Sequence, residues 1–362
     1  MKLLIISSYT DTWNSVRPEA EIFIGMAKLG VDVTLMTEGD SEYVPRFREH
    51  GVKIIDFHPK KKFQWSAIKT IRAELKRGGY DALYMFNNKA ITNGLFAAIG
   101  LPVKTVSYRG QTGNIYWYDP TSYLTHLHPR LDAIICVANA VRDDLHTQSR
   151  LPKDKIVTVY KGHSLDWYQD APADLSEFGI PDDGFVVGCV ANDRPRKGLP
   201  VLLEASKKLP VDRPIYFLLV GNGMGSEHIQ SLIKQSPLAS KIKVAGHRKD
   251  APALIAACDI SVLPSLKREG LPKTVIEAMA YGTAVIVSAT GGSAELIIDG
   301  ESGIRVEPGD VSAIAAGIKS LETSRDRCEQ MGRAGQARIA QHFSTEQSAS
   351  DTKQFLESLL EQ

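Results

Sequence analysis

Residues 260–295 read ISVLPSLKREGLPKTVIEAMAYGTAVIVSATGGSAE. The first four are a short apolar, β-branched run, and AVIV at residues 284–287 is another. Between them residues 275–281 carry helical spacing behind Pro272, whose fixed φ and missing N–H suit a first helical turn. Strand, loop, helix and strand together make one step of a parallel sheet, because parallel neighbours are joined only through a crossover. Glu269 falls in the loop, and Glu277 lies about one turn inside the helix, pointing back toward its N-terminus. A loop acid, helix amides lacking partners and a second acid can hold three parts of one polyol phosphate. These are sugar hydroxyls, phosphate and a ribose diol. A Glu pair at this spacing, taken alone, is more often solvated or capping.

The same alternation extends outward in both directions. Residues 185–190, 215–220 and 243–245 read as strands, with helices over 199–209, from 227 and over 251–257. In the first half, residues 2–7, 31–36, 53–56, 82–86, 105–108 and 133–137 read as strands, and 19–29 as a helix. At 362 residues the chain exceeds the roughly 250–300 that one core serves. The expected fold is α/β, two Rossmann-like domains with parallel sheets facing across an interdomain cleft. Their expected bounds are 1–168 and 185–345. The Pro-, Asp- and Gly-rich 169–184 serves as linker, and a C-terminal helix at 346–362 returns to the first domain. Ligands in such sheets bind beyond the carboxyl ends of the strands.

Composition narrows the class further. Forty-three Lys and Arg face 42 Asp and Glu, a formal charge of +1, so nothing global points to nucleic acid. No apolar run reaches the ~18–20 residues of a membrane span, and the opening MKLLIISSYT reads as a strand, not a secretory signal. Four well-separated cysteines without a CxxC fit a reduced, cytoplasmic protein. There is no Asp-x-Asp and no His/carboxylate cluster with metal spacing, and no His–carboxylate pair is visible that would serve as a base.

The segment EGLPKTVIEAMAYGTAVIVSATGGSAELI closely resembles the signature of glycosyltransferase family 4, with its EAMA-x-G core and following GG-x-x-E. The resemblance covers most of residues 185–345, including Gly221-Asn222-Gly223 and Gly246-His247, and is weaker in the first half. It implies a GT-B fold, with an acceptor-binding first domain and a nucleotide-sugar-binding second one. By that analogy Glu269 contacts the donor sugar, while Gly270 and Leu271 offer amides near sugar and phosphate, with Pro272 and Ser265 beside them. Glu277 would hold the ribose, and Gly221, Gly223, Gly246, His247 and Arg248 would border the nucleotide.

Asn192-Asp193-Arg194-Pro195-Arg196-Lys197-Gly198 follows a strand and precedes a helix. Arg196 and Lys197 match the end of the family's diphosphate loop, where adjacent cations neutralise a leaving diphosphate. An earlier Arg common in that loop is absent here, with Ala191 and Asn192 in its place and Arg194 as the substitute. In the first half the glycine-rich turn of many relatives is replaced by SSYTDTWNSVRPEAE, which leaves Ser8, Asn14 and Arg17 as cleft candidates. Asn87 follows a strand, Arg109 stands where relatives often carry His, His126 lies in an aromatic-rich stretch, and His163 follows Lys161-Gly162.

Residues 1–165 carry 22 Lys and Arg against 16 Asp and Glu, an excess concentrated between Lys60 and Arg77. Ile68, Ile71 and Leu75 keep helical spacing there, after Phe63 and Trp65. Such a helix can lie on an anionic membrane surface, or it can pack its stripe on the sheet and leave the charges in water.

The resemblance thus implies a cytoplasmic, metal-independent retaining transferase, free or peripheral on the inner face of the membrane. It would need no cofactor, take a UDP- or GDP-sugar and glycosylate a glycan or lipid-linked acceptor in bacterial cell-surface polysaccharide or lipopolysaccharide/glycolipid synthesis. A nucleotide-sugar epimerase of the same fold and a non-catalytic nucleotide-sugar-binding paralogue are the alternatives.

Overall fold

The computed structural model describes residues 1–11 and 13–361, apart from the side chains of residues 13–15. Asn14 therefore lies outside the described side chains. The chain divides into two compact units, Met1–Gly162 together with the C-terminal segment from Phe343, and His163–His342.

The first unit contains a seven-stranded sheet built from β1 (Lys2–Ile6), β2 (Asp32–Thr37), β3 (Lys53–Asp56), β4 (Ala82–Met85), β5 (Lys104–Arg109), β6 (Ala133–Cys136) and β7 (Ile156–Thr158). The strand order is β3-β2-β1-β4-β5-β6-β7. All of its pairings are parallel. The second unit repeats the scheme with β8 (Phe185–Val190), β9 (Ile215–Val220), β10 (Ile242–Gly246), β11 (Ile260–Leu263), β12 (Ala284–Ser288) and β13 (Ile304–Val306), ordered β10-β9-β8-β11-β12-β13. These too pair only in parallel. Central strands such as β1 and β4 are buried on both faces, which is why they read as unbroken apolar runs.

The expected alternation is present, and the differences are local. The edge strands β7 and β13 escaped the sequence reading because three residues cannot display a period. The first helix runs Trp13–Lys28 and carries Pro18 inside it, starting earlier than the expected residue 19. Residues 169–184, expected as a linker, belong to the second unit. There the Ala173 N–H donates to Ala253 O, and Arg325 reaches the carbonyls of Asp183 and Gly184. Pro-, Asp- and Gly-rich composition reports the absence of regular hydrogen bonding, not of packing. The helix Thr345–Leu360 is part of the first unit, where Ala349, Leu356 and Leu359 join the core around Phe23 and Met26.

The basic segment forms the helix Trp65–Gly78, with Ala67, Ile68, Ile71 and Leu75 buried. It packs against the helix Asn87–Ala97. Phe63 meets Phe96 edge-on at 5.2 Å, and Arg72 donates to Ala97 O and Ile99 O at 2.7 Å each. A lipid-facing role for the Ile68–Ile71–Leu75 stripe is therefore excluded. Lys60, Lys61 and Lys62 remain exposed beside Phe63 (40% exposed) and Trp65 (67%). Among the described residues no helix is long and apolar enough to cross a membrane.

Candidate functional site

In the second unit the chemistry-bearing residues gather beyond the carboxyl ends of β8–β11. A cavity of about 370 Å³ is lined there by Asn192, Arg194, Arg196, Lys197, Gly221, His247, Arg248 and Thr274, among others. Asp193 N–H donates to Asn222 O at 2.7 Å, and Asn222 N–H to the Asn192 side chain at 3.2 Å, which ties the loop after β8 to the glycine turn after β9. Gly223 packs beside Asp193, and Gly221 N–H donates to Gly246 O at 2.7 Å.

Glu269, in the loop after β11, is only 4% exposed and lies behind Arg196 and Lys197, outside the cavity lining itself. Its Oε1 accepts from Lys197 Nζ at 2.8 Å and from Ser265 Oγ at 2.6 Å, with Arg196 3.6 Å away. A carboxylate buried this deeply needs such partners, because desolvation without them is very costly. Arg196 also donates to the carbonyl of Arg268, a residue at φ +63°. The loop acid is thus presented by backbone in the left-handed region and secured by the cation next to it. A phosphate arriving at Arg196 and Lys197 would compete with Glu269 for their charge.

Two glycines make this assembly possible. Gly291, in the turn after β12, has φ +53°, and a Cβ there would lie 1.9 Å from Glu269 O. Gly198 has φ +68°, and its Cβ would meet Pro264 O at 2.0 Å. Backbone approaches this close leave no room for a side chain.

The helix Lys273–Ala280 follows Pro272, with no side chain capping its N-terminus, and Gly270 and Leu271 immediately precede it. Glu277 is buried on this helix and paired with Lys273 one turn earlier. Arg248, expected to border the nucleotide, lines the cavity. It forms two 3.0 Å bonds with Glu177, in the segment before β8, and two more with Asp250 in its own loop, which engages the guanidinium on both sides.

The first unit has its own cavity, about 630 Å³, lined by residues just past β1–β4 and by Tyr108 of β5. Ser8 and Asn87 line it, as do Glu19, Glu38 and His58, which the sequence reading missed. The position rule for parallel sheets could have found them, since Glu38 follows β2 directly and His58 lies two residues past β3. Glu19 accepts from Ser7, Tyr9 and Lys161. Burial works against the Lys161 ammonium, but Tyr108 and Glu19 outweigh it and hold the pKa above the ordinary lysine value.

Several first-half candidates are placed elsewhere. His126 is 2% exposed, with Nδ1 2.9 Å from Ser107 Oγ. Burial, aided by Arg109, pushes its pKa down to about 3, so it is a neutral core residue. Arg109 is 7% exposed and donates to Gly113 O, which organises the loop after β5. His163 is buried against Tyr168, its Nδ1 2.5 Å from the phenol oxygen. Arg17 stands one turn before Glu21 and acts on that carboxylate electrostatically. Of these four, none lines the first unit's cavity. The structure does bring together one His–carboxylate pair that the sequence had hidden, Glu38 and His58, 3.3 Å apart. Among the described residues no group of three or more His, Cys, Asp and Glu could hold a metal ion.

Residues 170–338 match a family model described as Glycosyl transferases group 1, and residues 20–167 match one described as Glycosyltransferase Family 4. The lipopolysaccharide core biosynthesis glycosyltransferase LpsE of Rhizobium meliloti is 24% identical over 215 residues, covering 59% of this chain and 61% of that protein. The chain spans about three fifths of the length of the curated relatives it matches. A glycosyltransferase structure from Rickettsia africae ESF-5 superposes with a TM-score of 0.82 at 20% identity, covering 99% of this chain and 98% of that one. Anabaena Alr3699/HepE, solved in complex with UDP and glucose, gives 0.80 at 20% identity, covering 99% and 100%. With two all-parallel sheets, each in a unit similar to glycosyltransferase domains, the chain has the two-domain α/β architecture of the GT-B glycosyltransferases.

Proposed function

We propose that this protein is a glycosyltransferase that moves a sugar from a nucleotide-diphosphate sugar to an acceptor hydroxyl and retains the donor's anomeric configuration. The observation that carries this reading is the Arg196–Lys197–Glu269 cluster beside the uncapped start of the helix Lys273–Ala280. Arg196 and Lys197 take the diphosphate, Glu269 and the amides of Gly270 and Leu271 take the donor sugar and its phosphate, and Glu277 takes the ribose. The bond from the anomeric carbon to the diphosphate oxygen breaks, with its electrons leaving on that oxygen. The acceptor oxygen bonds to the same face of the sugar and passes its proton to the leaving phosphate. The two cations stabilise the charge that grows there. His58 is no free base for an inverting route, since Asn87 Nδ2 already occupies its second nitrogen at 3.3 Å.

The complex of the Anabaena relative with UDP and glucose supports a UDP-sugar donor, with a GDP-sugar as the competing choice. The lipopolysaccharide core relative supports a role in cell-surface glycan synthesis. Two measurements test the reading. In a thermal-shift comparison of UDP, GDP and ADP, one nucleotide should stabilise the protein by about 2.7 kcal/mol at a hundredfold excess over its Kd. Proton NMR of the first product, formed in EDTA from a donor of known anomeric form, should show retention. Inverted product, or activity lost in EDTA and restored by Mg²⁺, would sink the mechanism.

The acceptor side of the reading includes an anionic membrane. Lys60, Lys61 and Lys62, with the exposed Phe63 and Trp65, present charge and interfacial aromatics together. Co-sedimentation with vesicles should require acidic lipid, decline with salt and weaken when the three lysines become serine. Salt-insensitive absence of binding would leave that edge simply solvated.

A further inference from the structure

Arg196 and Lys197 line the cavity of the second unit, while Glu269 stands behind them. The acid's side chain is 6% exposed, against 17% for Lys197 and 27% for Arg196. Backbone contacts on both sides of Lys197 fix this order. Leu266 N–H donates to Arg196 O at 2.8 Å, and Arg196 Nη1 donates to Arg268 O at 3.2 Å. On the other side Gly198 packs so closely that a Cβ would lie 2.0 Å from Pro264 O. The loop of the cations is thus clipped to the loop of the acid, and Lys197 Nζ meets Glu269 Oε1 at 2.8 Å. The fully buried Ser265 donates to the same oxygen at 2.6 Å. The two cations differ in freedom. Arg196 is committed to a carbonyl, whereas the ammonium of Lys197 sits on a flexible stem and can turn between partners.

We propose that Glu269 is a built-in competitor of the diphosphate, drawing Lys197 back from the cavity and so helping to expel the nucleoside diphosphate once the sugar has been transferred. The proposal rests on the glycosyltransferase reading and adds product release to it. A diphosphate entering the cavity must take Lys197 from an anion that already neutralises it. It then faces that anion's uncompensated charge behind the cations. The penalty grows with the charge of the ligand. In the donor the outer phosphate is an ester of the sugar. Transfer leaves the glycosidic oxygen on that phosphate, so the product carries one more ionised oxygen at about pH 7.5, above the roughly pH 6 of a terminal phosphate's second ionisation. Cations that stabilise the leaving group would, unopposed, bind the product more tightly than the donor. Glu269 opposes the product more, because the donor's sugar offers the carboxylate a hydroxyl to accept from and the product does not.

A merely structural Glu269 makes the opposite prediction. Its replacement would loosen the loop and weaken every ligand.

The test is calorimetry and stopped-flow release on the full-length protein and its Glu269→Gln variant, using inorganic pyrophosphate, UDP, GDP, UDP-glucose and GDP-mannose. Glu269→Gln should bind pyrophosphate and the preferred nucleoside diphosphate about tenfold more tightly, while its affinity for the matching sugar nucleotide rises less than about threefold. Nucleotide release should slow in proportion, turnover should fall, and product inhibition should set in at a lower nucleotide concentration. Ser265→Ala is the second variant. It removes a hydrogen bond to the same oxygen but keeps the charge, so none of its affinities should rise. Weaker or unchanged pyrophosphate and nucleotide binding in folded Glu269→Gln, equal gains for donor and product, or the same gain in Ser265→Ala would overturn the proposal. So would the absence of binding of all these anions to both proteins. Failure of the transferase reading alone would look different: the anions tighten in Glu269→Gln as expected, but the unsubstituted protein transfers no sugar from either UDP- or GDP-sugars.

Discussion

Alanine at both Arg196 and Lys197 should lower turnover by about 10²–10³-fold, while the donor KM changes by less than about tenfold. Charge grows on the departing phosphate as the glycosidic bond breaks, so fixed cations there act more strongly on the transition state than on the bound donor. Removing preorganised groups of this kind typically costs that much in kcat. The structure adds a complication that residue types alone would not suggest. Glu269 Oε1 is held by Lys197 and Ser265, with Arg196 nearby, so the double variant leaves a buried carboxylate with Ser265 as its remaining partner in this cluster. Breaking a buried pair by removing one member costs roughly 3–5 kcal/mol of stability. Kinetics should therefore be measured well below each variant's unfolding transition. Lys197→Met combined with Glu269→Gln should recover most of the stability and none of the turnover. Full turnover in the double alanine variant would remove these residues from the diphosphate site.

Gly291→Ala should be nearly as damaging to activity, although Gly291 has no side chain with which to do chemistry. Its Cβ would fall 1.9 Å from Glu269 O at φ +53°, so either the turn after β12 or the Glu269 loop must move. The strained backbone alone costs on the order of 1–3 kcal/mol. A displacement of about 1 Å at Glu269 can cost ~10² in rate, because orientation at the reacting centre is lost. Gly300→Ala is the control. It has φ +79° with nothing within 4 Å of the added Cβ, so it carries strain without collision. It should lose only about 1–2 kcal/mol and leave kinetics unchanged. Equal kinetic effects at the two positions would show that contact with Glu269 is irrelevant.

What was legible in the sequence is local in origin. Residues 260–288 announced strand, loop, helix and strand because burial on both faces makes a strand continuously apolar, and burial on one face gives a helix its period. Both properties belong to consecutive residues. The loop position of Glu269 and the helical position of Glu277 follow directly from that reading. Partnership is different. Lys197 meets Glu269 across 72 residues because the loop after β8 and the loop after β11 leave adjacent strands. Glu38, His58 and Asn87 meet because β2, β3 and β4 end at the same edge of one sheet. No periodicity in the chain states a strand order. The same reason explains the misplaced candidates. His126 and Arg109 carry chemistry-bearing side chains, but the sheet turns both into its core, where desolvation keeps the histidine neutral. The Ile68–Ile71–Leu75 stripe was read correctly as an apolar face, but only the fold selected the helix Asn87–Ala97 as its cover. Sequence determined which faces must be buried and which residues stand at strand ends. Tertiary structure decided what each meets there, because contact between strand ends depends on the order in which the sheet is assembled.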